Sequence, residues 1–229
     1  MTIQTFGVIG AGQMGNGIAQ VAAMSGLDVI MNDIKEEFVQ KGLATIAKNL
    51  QRQVDKGKLS AGDKDQIASR IQTSLALQDM ASADYVVEAA TENESLKFKI
   101  FQDLDNYCQP GVILATNTSS FYVHEFADQT SRPDRFVGLH YFYHPAKNRL
   151  LEVIPHKGTS EETLEKSLLA AKLHGKTSIV VKDAPGFAVN RFFLPFLNEA
   201  ARMLEERLAN IPTIEEAAKQ AFSIGMGPF

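Results

Sequence analysis

The sequence predicts an α/β fold, a mostly parallel sheet wound with helices, followed by an all-helical region. Two observations predict it. Short apolar runs of strand length alternate with longer amphipathic stretches over residues 1–183, the pattern of repeated βαβ units. A glycine-rich turn, Gly10-Ala-Gly12-Gln-Met-Gly15, separates the first apolar run from the first amphipathic stretch.

The elements follow in order. Strands are predicted over residues 5–9, 27–31, 85–89, 112–115, 136–140, 150–154 and 178–181, the first within an apolar opening that starts at Met1. Helices are predicted over 13–25, 36–56, 94–106 and 161–173. Thr91-Glu-Asn-Glu94 reads as a capping box with Thr91 as the cap. Past Asp183-Ala-Pro-Gly186 no strand pattern remains, and the Pro-Gly pair marks a junction. One domain is therefore expected over residues 1–183 and the start of a helical one over 184–229.

Composition narrows the function. The 229 residues are 45% hydrophobic and 22% charged, ordinary for a globular chain. A net charge of −4 offers no basic surface able to neutralise many phosphates, so no nucleic-acid partner is expected. No apolar run approaches the ~18 residues of a bilayer span, so no membrane partner is expected either. The single cysteine, Cys108, excludes a disulfide framework and Cys-rich zinc sites. With no signal-peptide pattern in view, a cytoplasmic protein is expected.

Context gives the glycine turn its meaning. It follows a strand, opens a helix, and is followed by a second strand that runs into Asp33. Gly10 permits the tight turn, Gly12 lets the backbone approach a pyrophosphate, and Gly15 lets helix and strand pack closely. The helix N-terminus offers unpaired N–H groups to the phosphates. Gly10, Ala11, Gly12, Gln13, Met14 and Gly15 are thus candidate cofactor-binding residues of a Rossmann-type dinucleotide-binding domain. Asp33 stands where a carboxylate accepts from the adenosine ribose and repels a 2′-phosphate, which favours NAD.

Three further patterns carry chemistry. Lys41, Lys48, Arg52 and Lys56 fall within an arc of about 80° on the second helix, opposite Val39, Leu43, Ile46, Leu50 and Val54. That stripe is a solvated face or a landing surface for an anionic, nucleotide-tailed substrate. Glu152 lies inside an apolar strand and needs a partner, for which His140, ending the preceding strand, is the nearest candidate. The pair is a structural ion pair, or a carboxylate that fixes the tautomer of a catalytic histidine. The turn Thr116-Asn-Thr-Ser-Ser120 supplies helix caps or donors for a reacting oxygen. No two histidines have helical metal-ligand spacing, so no metal is expected.

In combination and order these residues resemble the L-3-hydroxyacyl-CoA dehydrogenase family, including the 3-hydroxybutyryl-CoA dehydrogenases. The resemblance covers essentially the whole chain. It rests on Val8-Ile-Gly-Ala-Gly-Gln-Met-Gly-Asn-Gly-Ile-Ala19, Val87-Glu-Ala-Ala-Thr-Glu-Asn93, Asn117-Thr-Ser-Ser120, Gly138-Leu-His140 and Leu151-Glu-Val153. It continues through Lys182-Asp-Ala-Pro-Gly-Phe-Ala-Val-Asn-Arg191 and Gly225-Met-Gly-Pro-Phe229.

The resemblance implies NAD-linked oxidation of an L-3-hydroxyacyl-CoA to the 3-ketoacyl-CoA, in fatty-acid or related acyl-CoA metabolism. It makes His140 the general base and Glu152 the acid that orients it. Ser119 and Asn190 match positions that hold the substrate's oxygens, with Ser119 also facing cofactor. Asp33, Glu92, Lys97 and Asn117 match cofactor contacts, and Lys56 matches a lysine that contacts coenzyme A. Asn49 replaces a serine of the family near that lysine. Tyr143 replaces the family's asparagine three residues after the histidine, so the nicotinamide surroundings differ. A dehydrogenase of a free hydroxy acid and a dinucleotide-binding structural or sensor protein are the alternatives.

The last pattern concerns residues 188–208. Val189, Phe192, Phe193, Phe196, Leu197, Ala200, Met203, Leu204 and Leu208 cover an arc of about 160°, with Pro195 expected to kink the helix. The 46 residues from 184 to 229 are few for a self-sufficient domain. An incomplete chain is therefore expected, its stripe buried in a homodimer through the C-terminal helices.

Overall fold

Strand order is what creates the site. The computed structural model describes residues 3–229, so Met1 and Thr2 of the apolar opening lie outside the described residues. The chain divides into two units after Ala184. Among the described residues, the first unit holds eight strands in one sheet. These are β1 (Thr5–Ile9), β2 (Asp28–Asn32), β3 (Ile71–Ser74), β4 (Tyr85–Glu88), β5 (Ile113–Thr116), β6 (Phe136–Tyr141), β7 (Leu150–Ile154) and β8 (Thr177–Val180). They lie in the order β3-β2-β1-β4-β5-β6-β7-β8. Every neighbouring pair is parallel except β6–β7. The order reverses between β1 and β4, and in such sheets the ligand crevice opens outside the carboxyl ends at that point.

The helices of the first unit are α1 (Gln13–Met24), α2 (Glu36–Asp55), α3 (Ala61–Ser69), α4 (Glu94–Tyr107), α5 (Val123–Ala127) and α6 (Glu161–Leu173). Alternation along the strands sorts the core into two faces. Phe6 and Val8 of β1, Tyr85 and Val87 of β4, and Val137, Leu139 and Tyr141 of β6 pack with Ile18, Ala19 and Ala22 of α1 and Ala170 and Ala171 of α6. Elsewhere Phe101 of α4, Phe126 of α5 and Phe136 of β6 meet edge to face or tilted, with Phe101 and Phe136 centroids 4.7 Å apart. Helix α2 buries Val39, Ile46 and Leu50 and leaves Lys41, Lys48, Arg52 and Lys56 exposed, the two-sided pattern its sequence carries.

Two elements escape the sequence reading. Strand β3 has only four residues, and its burial pairs Ile71 with Ser74 around two exposed positions, so no apolar alternation marks it. Helix α3 has no fully buried residue; its start is set by Ser60, whose side chain accepts from the Asp63 amide at 3.0 Å. One cap is corrected. The cap of α4 is Asn93 and not Thr91, because Asn93 Oδ1 accepts from the Leu96 amide at 2.9 Å. The chain cannot enter the helix earlier: Glu88 holds the Ala90 amide at 2.7 Å and the Thr91 carbonyl takes the Asn93 amide at 2.7 Å.

The second unit holds α7 (Val189–Glu205) and α8 (Ile211–Phe222). Helix α7 runs on through Pro195. Of its predicted stripe Ala200 is buried, whereas Phe192, Phe193, Leu204 and, just past the helix, Leu208 are exposed. Asn210 caps α8 by accepting from the Thr213 amide at 3.0 Å. No helix among the described residues is long and apolar enough to cross a membrane.

Candidate active site

The glycine loop is built as its spacing demands. Gly10 has φ of +98°, and a Cβ there would stand 2.6 Å from the Ala89 carbonyl oxygen. A Cβ at Gly15 would stand 1.7 Å from the Gly10 oxygen, so only glycine lets α1 start this close to β1. Gly12, by contrast, faces open space with no atom within 4 Å. That is the cradle a pyrophosphate requires: bare backbone at a helix N-terminus.

A cavity of about 990 Å³ opens there, large enough for a dinucleotide. Gly10, Ala11, Gly12 and Gln13 line it with Asp33, Ile34, Phe38 and Lys41 on one side and Ala89, Ala90 and Thr91 on another. Met14 does not line it. Its side chain packs against the core. Asp33 lies where the spacing places it, and its Oδ2 already accepts the Ala11 amide at 2.7 Å while Oδ1 accepts from Ile34. The carboxylate thereby ties the second strand to the glycine loop and keeps negative charge in the cavity wall.

His140 and Glu152 are register partners on the antiparallel pair β6–β7. His140 Nδ1 lies 2.7 Å from Glu152 Oε2, with Glu152 fully buried and His140 nearly so. The strand pairing sets this contact, because the side chains of directly opposed residues project from the same face. The carboxylate holds a proton on Nδ1 and leaves proton exchange to Nε2.

The polar turn after β5 is wired to the loop after β4. Glu92 Oε1 accepts from the Thr118 hydroxyl and from the Ser119 amide at 3.1 Å. Asn117 Oδ1 accepts from the Tyr141 amide at 2.9 Å, which locks the turn to β6 one residue past His140. Lys97 is 1% exposed, its ammonium 2.6 Å from Glu88 Oε1 and 3.2 Å from Glu92 Oε2. Glu92, Lys97, Asn117 and Ser119 thus form one network beside His140's strand, whereas the loop glycines and Asp33 form the cavity. Asn190 lies in α7 of the second unit, and Lys56 is exposed just past the end of α2.

Sequence reasoning missed Glu88. It ends β4 fully buried, accepting from Lys97, from the Thr116 hydroxyl at 2.8 Å and from the Ala90 amide. Burial pushes its carboxyl above the ordinary range, and Lys97 opposes that push. The signal was present: Tyr85-Val-Val-Glu88 places an acid in an apolar strand, as Leu150–Ile154 does for Glu152.

The chain matches two family models, the NAD-binding domain of 3-hydroxyacyl-CoA dehydrogenase over residues 5–184 and the C-terminal domain of the same enzyme over 186–229. It is 43% identical over 227 residues to a 3-hydroxybutyryl-CoA dehydrogenase of Bradyrhizobium diazoefficiens, covering 99% of this chain and 77% of that one. It is 41% identical to the mitochondrial hydroxyacyl-coenzyme A dehydrogenase of Sus scrofa, covering 97% of this chain and 73% of the relative. The crystal structure of (S)-3-hydroxybutyryl-CoA dehydrogenase from Ralstonia eutropha superposes with a TM-score of 0.96 at 44% identity, covering 99% of this chain and 80% of that one.

Proposed function

The chain belongs to the 3-hydroxyacyl-CoA dehydrogenase family, and from that premise we propose the roles of its residues. It is an NAD-dependent oxidoreductase that converts a 3-hydroxyacyl-CoA to the 3-ketoacyl-CoA in fatty-acid metabolism. The observation that carries the assignment is the 2.7 Å contact between His140 Nδ1 and the buried Glu152 carboxylate.

NAD, when bound, supplies the hydride acceptor. Gly10, Ala11, Gly12 and Gln13 would hold its pyrophosphate at the N-terminus of α1, and Asp33 its adenosine ribose. Nε2 of His140 takes the proton of the substrate's 3-hydroxyl, and Glu152 stabilises the imidazolium that results. Ser119 and Asn190 hold the substrate's oxygens. Glu92, Lys97 and Asn117 fix the Ser119 turn against β6 and face the cofactor. Lys56 takes an anionic group of the coenzyme A moiety. The exposed apolar residues Phe192, Phe193 and Leu208 support a homodimer through the C-terminal helices. The lone buried thiol of Cys108 supports a cytoplasmic setting.

Following NADH absorbance with acetoacetyl-CoA and with free acetoacetate tests this reading. Turnover is expected with the thioester alone. Equal turnover of free acetoacetate would mark a hydroxy-acid dehydrogenase, and NADH binding without turnover of either a sensor.

A further inference from the structure

Asn49 and the residue that follows Tyr143 lie far apart in sequence and meet in space. Asn49 of α2 stands 3.1 Å from Nε2 of His144, the residue after Tyr143. The Asn49 amide also contacts the Gln20 side chain of α1 at 3.3 Å.

Residues 143–148 form a strap over α1, and each part is held. The His144 carbonyl accepts the Lys147 and Asn148 amides at 2.8 and 2.9 Å, closing a turn. The Pro145 ring sits on Gly17, where a Cβ would lie 2.6 Å from Pro145 Cδ. Lys176 donates to the carbonyls of Pro145 and Asn148. Within the strap the Ala146 amide donates to His144 Nδ1 at 3.2 Å. The other ring nitrogen, Nε2, faces the Asn49 side-chain amide nitrogen Nδ2. Burial, Lys147 and Lys176 all hold the ring below the usual histidine range and so keep it neutral.

The strap ends at the cavity. Tyr143 and His144 both line it, together with the glycine loop, and Tyr143 is 63% exposed. An aromatic ring held open to a dinucleotide cavity offers its face to a flat heteroaromatic ring. We propose that Asn49 and His144 are positioning residues that clasp the strap to α2, and that the clasp sets Tyr143 as a stacking wall for an aromatic ring of the dinucleotide. This rests on the dinucleotide reading of the cavity.

Titration of the intact chain with NADH, by fluorescence and without any CoA substrate, tests the clasp by binding alone. Tyr143→Ala is expected to raise the NADH Kd roughly three- to tenfold, and Tyr143→Phe to leave it within about twofold of wild type. His144→Ala and Asn49→Ala should each raise it roughly threefold, and the double variant no further, because both remove one shared interaction. An unchanged Kd in Tyr143→Ala overturns the stacking wall. A double variant whose effect is the product of the singles overturns the clasp. Should His144→Ala fail to fold, Asn49→Ala set against Asn49→Gln carries the same test, with Gln expected to recover part of the affinity and equal losses overturning it. A wild-type chain that leaves NADH unbound overturns the dinucleotide site itself, which separates the two failures.

Discussion

Asp33, just past the end of the second strand, accepts the backbone amide of Ala11 at 2.7 Å, so the acid proposed to face the cofactor's ribose also braces the glycine loop. One side chain therefore couples the end of that strand to the glycine loop. The charge repels a 2′-phosphate whether or not the hydrogen bond to Ala11 persists.

Measured as kcat/KM, NADH should exceed NADPH by at least tenfold, the ratio that about 1.4 kcal/mol of discrimination produces. Asp33→Ala should shrink that ratio and raise the KM for NADH together, because it removes both the charge and the brace. Comparable values for the two cofactors in the wild type would refute the role of Asp33.

His140→Gln should lower kcat by at least ~100-fold while NADH binding stays intact, the scale of losing a general base. Glu152→Gln should fall by a smaller factor, since the imidazole keeps a neutral partner and loses the charge that favours its protonated form. Near-normal turnover in His140→Gln would sink the assignment.

Lys56→Ala should raise the KM for acetoacetyl-CoA several-fold and leave that for NADH alone. The structure separates the stripe: Lys41 lines the cofactor cavity, and Lys56 lies at the far end of α2. An unchanged KM for the thioester would return Lys56 to the solvated face.

Removing one member of the buried Glu88–Lys97 pair should be costly. Glu88→Ala leaves the Lys97 ammonium with Glu92 alone and strands the hydroxyl of Thr116, so a loss of about 3 kcal/mol is expected in urea unfolding. Replacing both by apolar residues of similar volume should cost less than Glu88→Ala. If the double variant is the less stable of the two, the pair contributes net stability and the desolvation argument fails.

His174 gives the first unit an acid limit. It is buried beside Phe6 with Nδ1 at hydrogen-bond distance, 2.9 Å, from the Tyr141 hydroxyl, and burial lowers its pKa to about 3. Below the ordinary value of 6.5 the unfolded chain takes up a proton that the folded chain refuses, so stability falls as pH drops from 6.5 toward 3. The slope is at most about 1.4 kcal/mol per pH unit for this one group. His174→Gln, which keeps a hydrogen-bonding partner for Tyr141 without titrating, should flatten that limb in chemical denaturation run between pH 4 and 7. A wild type and variant with parallel pH profiles would show that His174 is protonated in the folded state.

Local pattern carried a great deal of this molecule. The glycine turn between an apolar strand and a helix demands φ > 0 and backbone contact at particular positions, and those demands are met without reference to distant residues. Glu152 in an apolar strand announced a buried partner on desolvation cost alone, and the antiparallel pairing supplied His140. The amphipathic face of α2 was equally plain, because a 3.6-residue period needs only composition to be seen.

Long-range packing settled the rest. Strand β3 and helix α3 bury too little of their own surface to leave a periodic signature, so they exist by virtue of the sheet edge and helices they join. Thr91 looked like a cap, yet Glu88, held buried by Thr116 from the neighbouring strand, takes the Ala90 amide and the helix starts only after Asn93. Met14 reads as part of a cofactor loop, yet its side chain turns to the core. Asn49 and His144 are 95 positions apart in sequence and 3.1 Å apart in space. A hydrogen bond between residues so distant depends on how two layers of helices and strands close on one another, and no window of sequence contains that information.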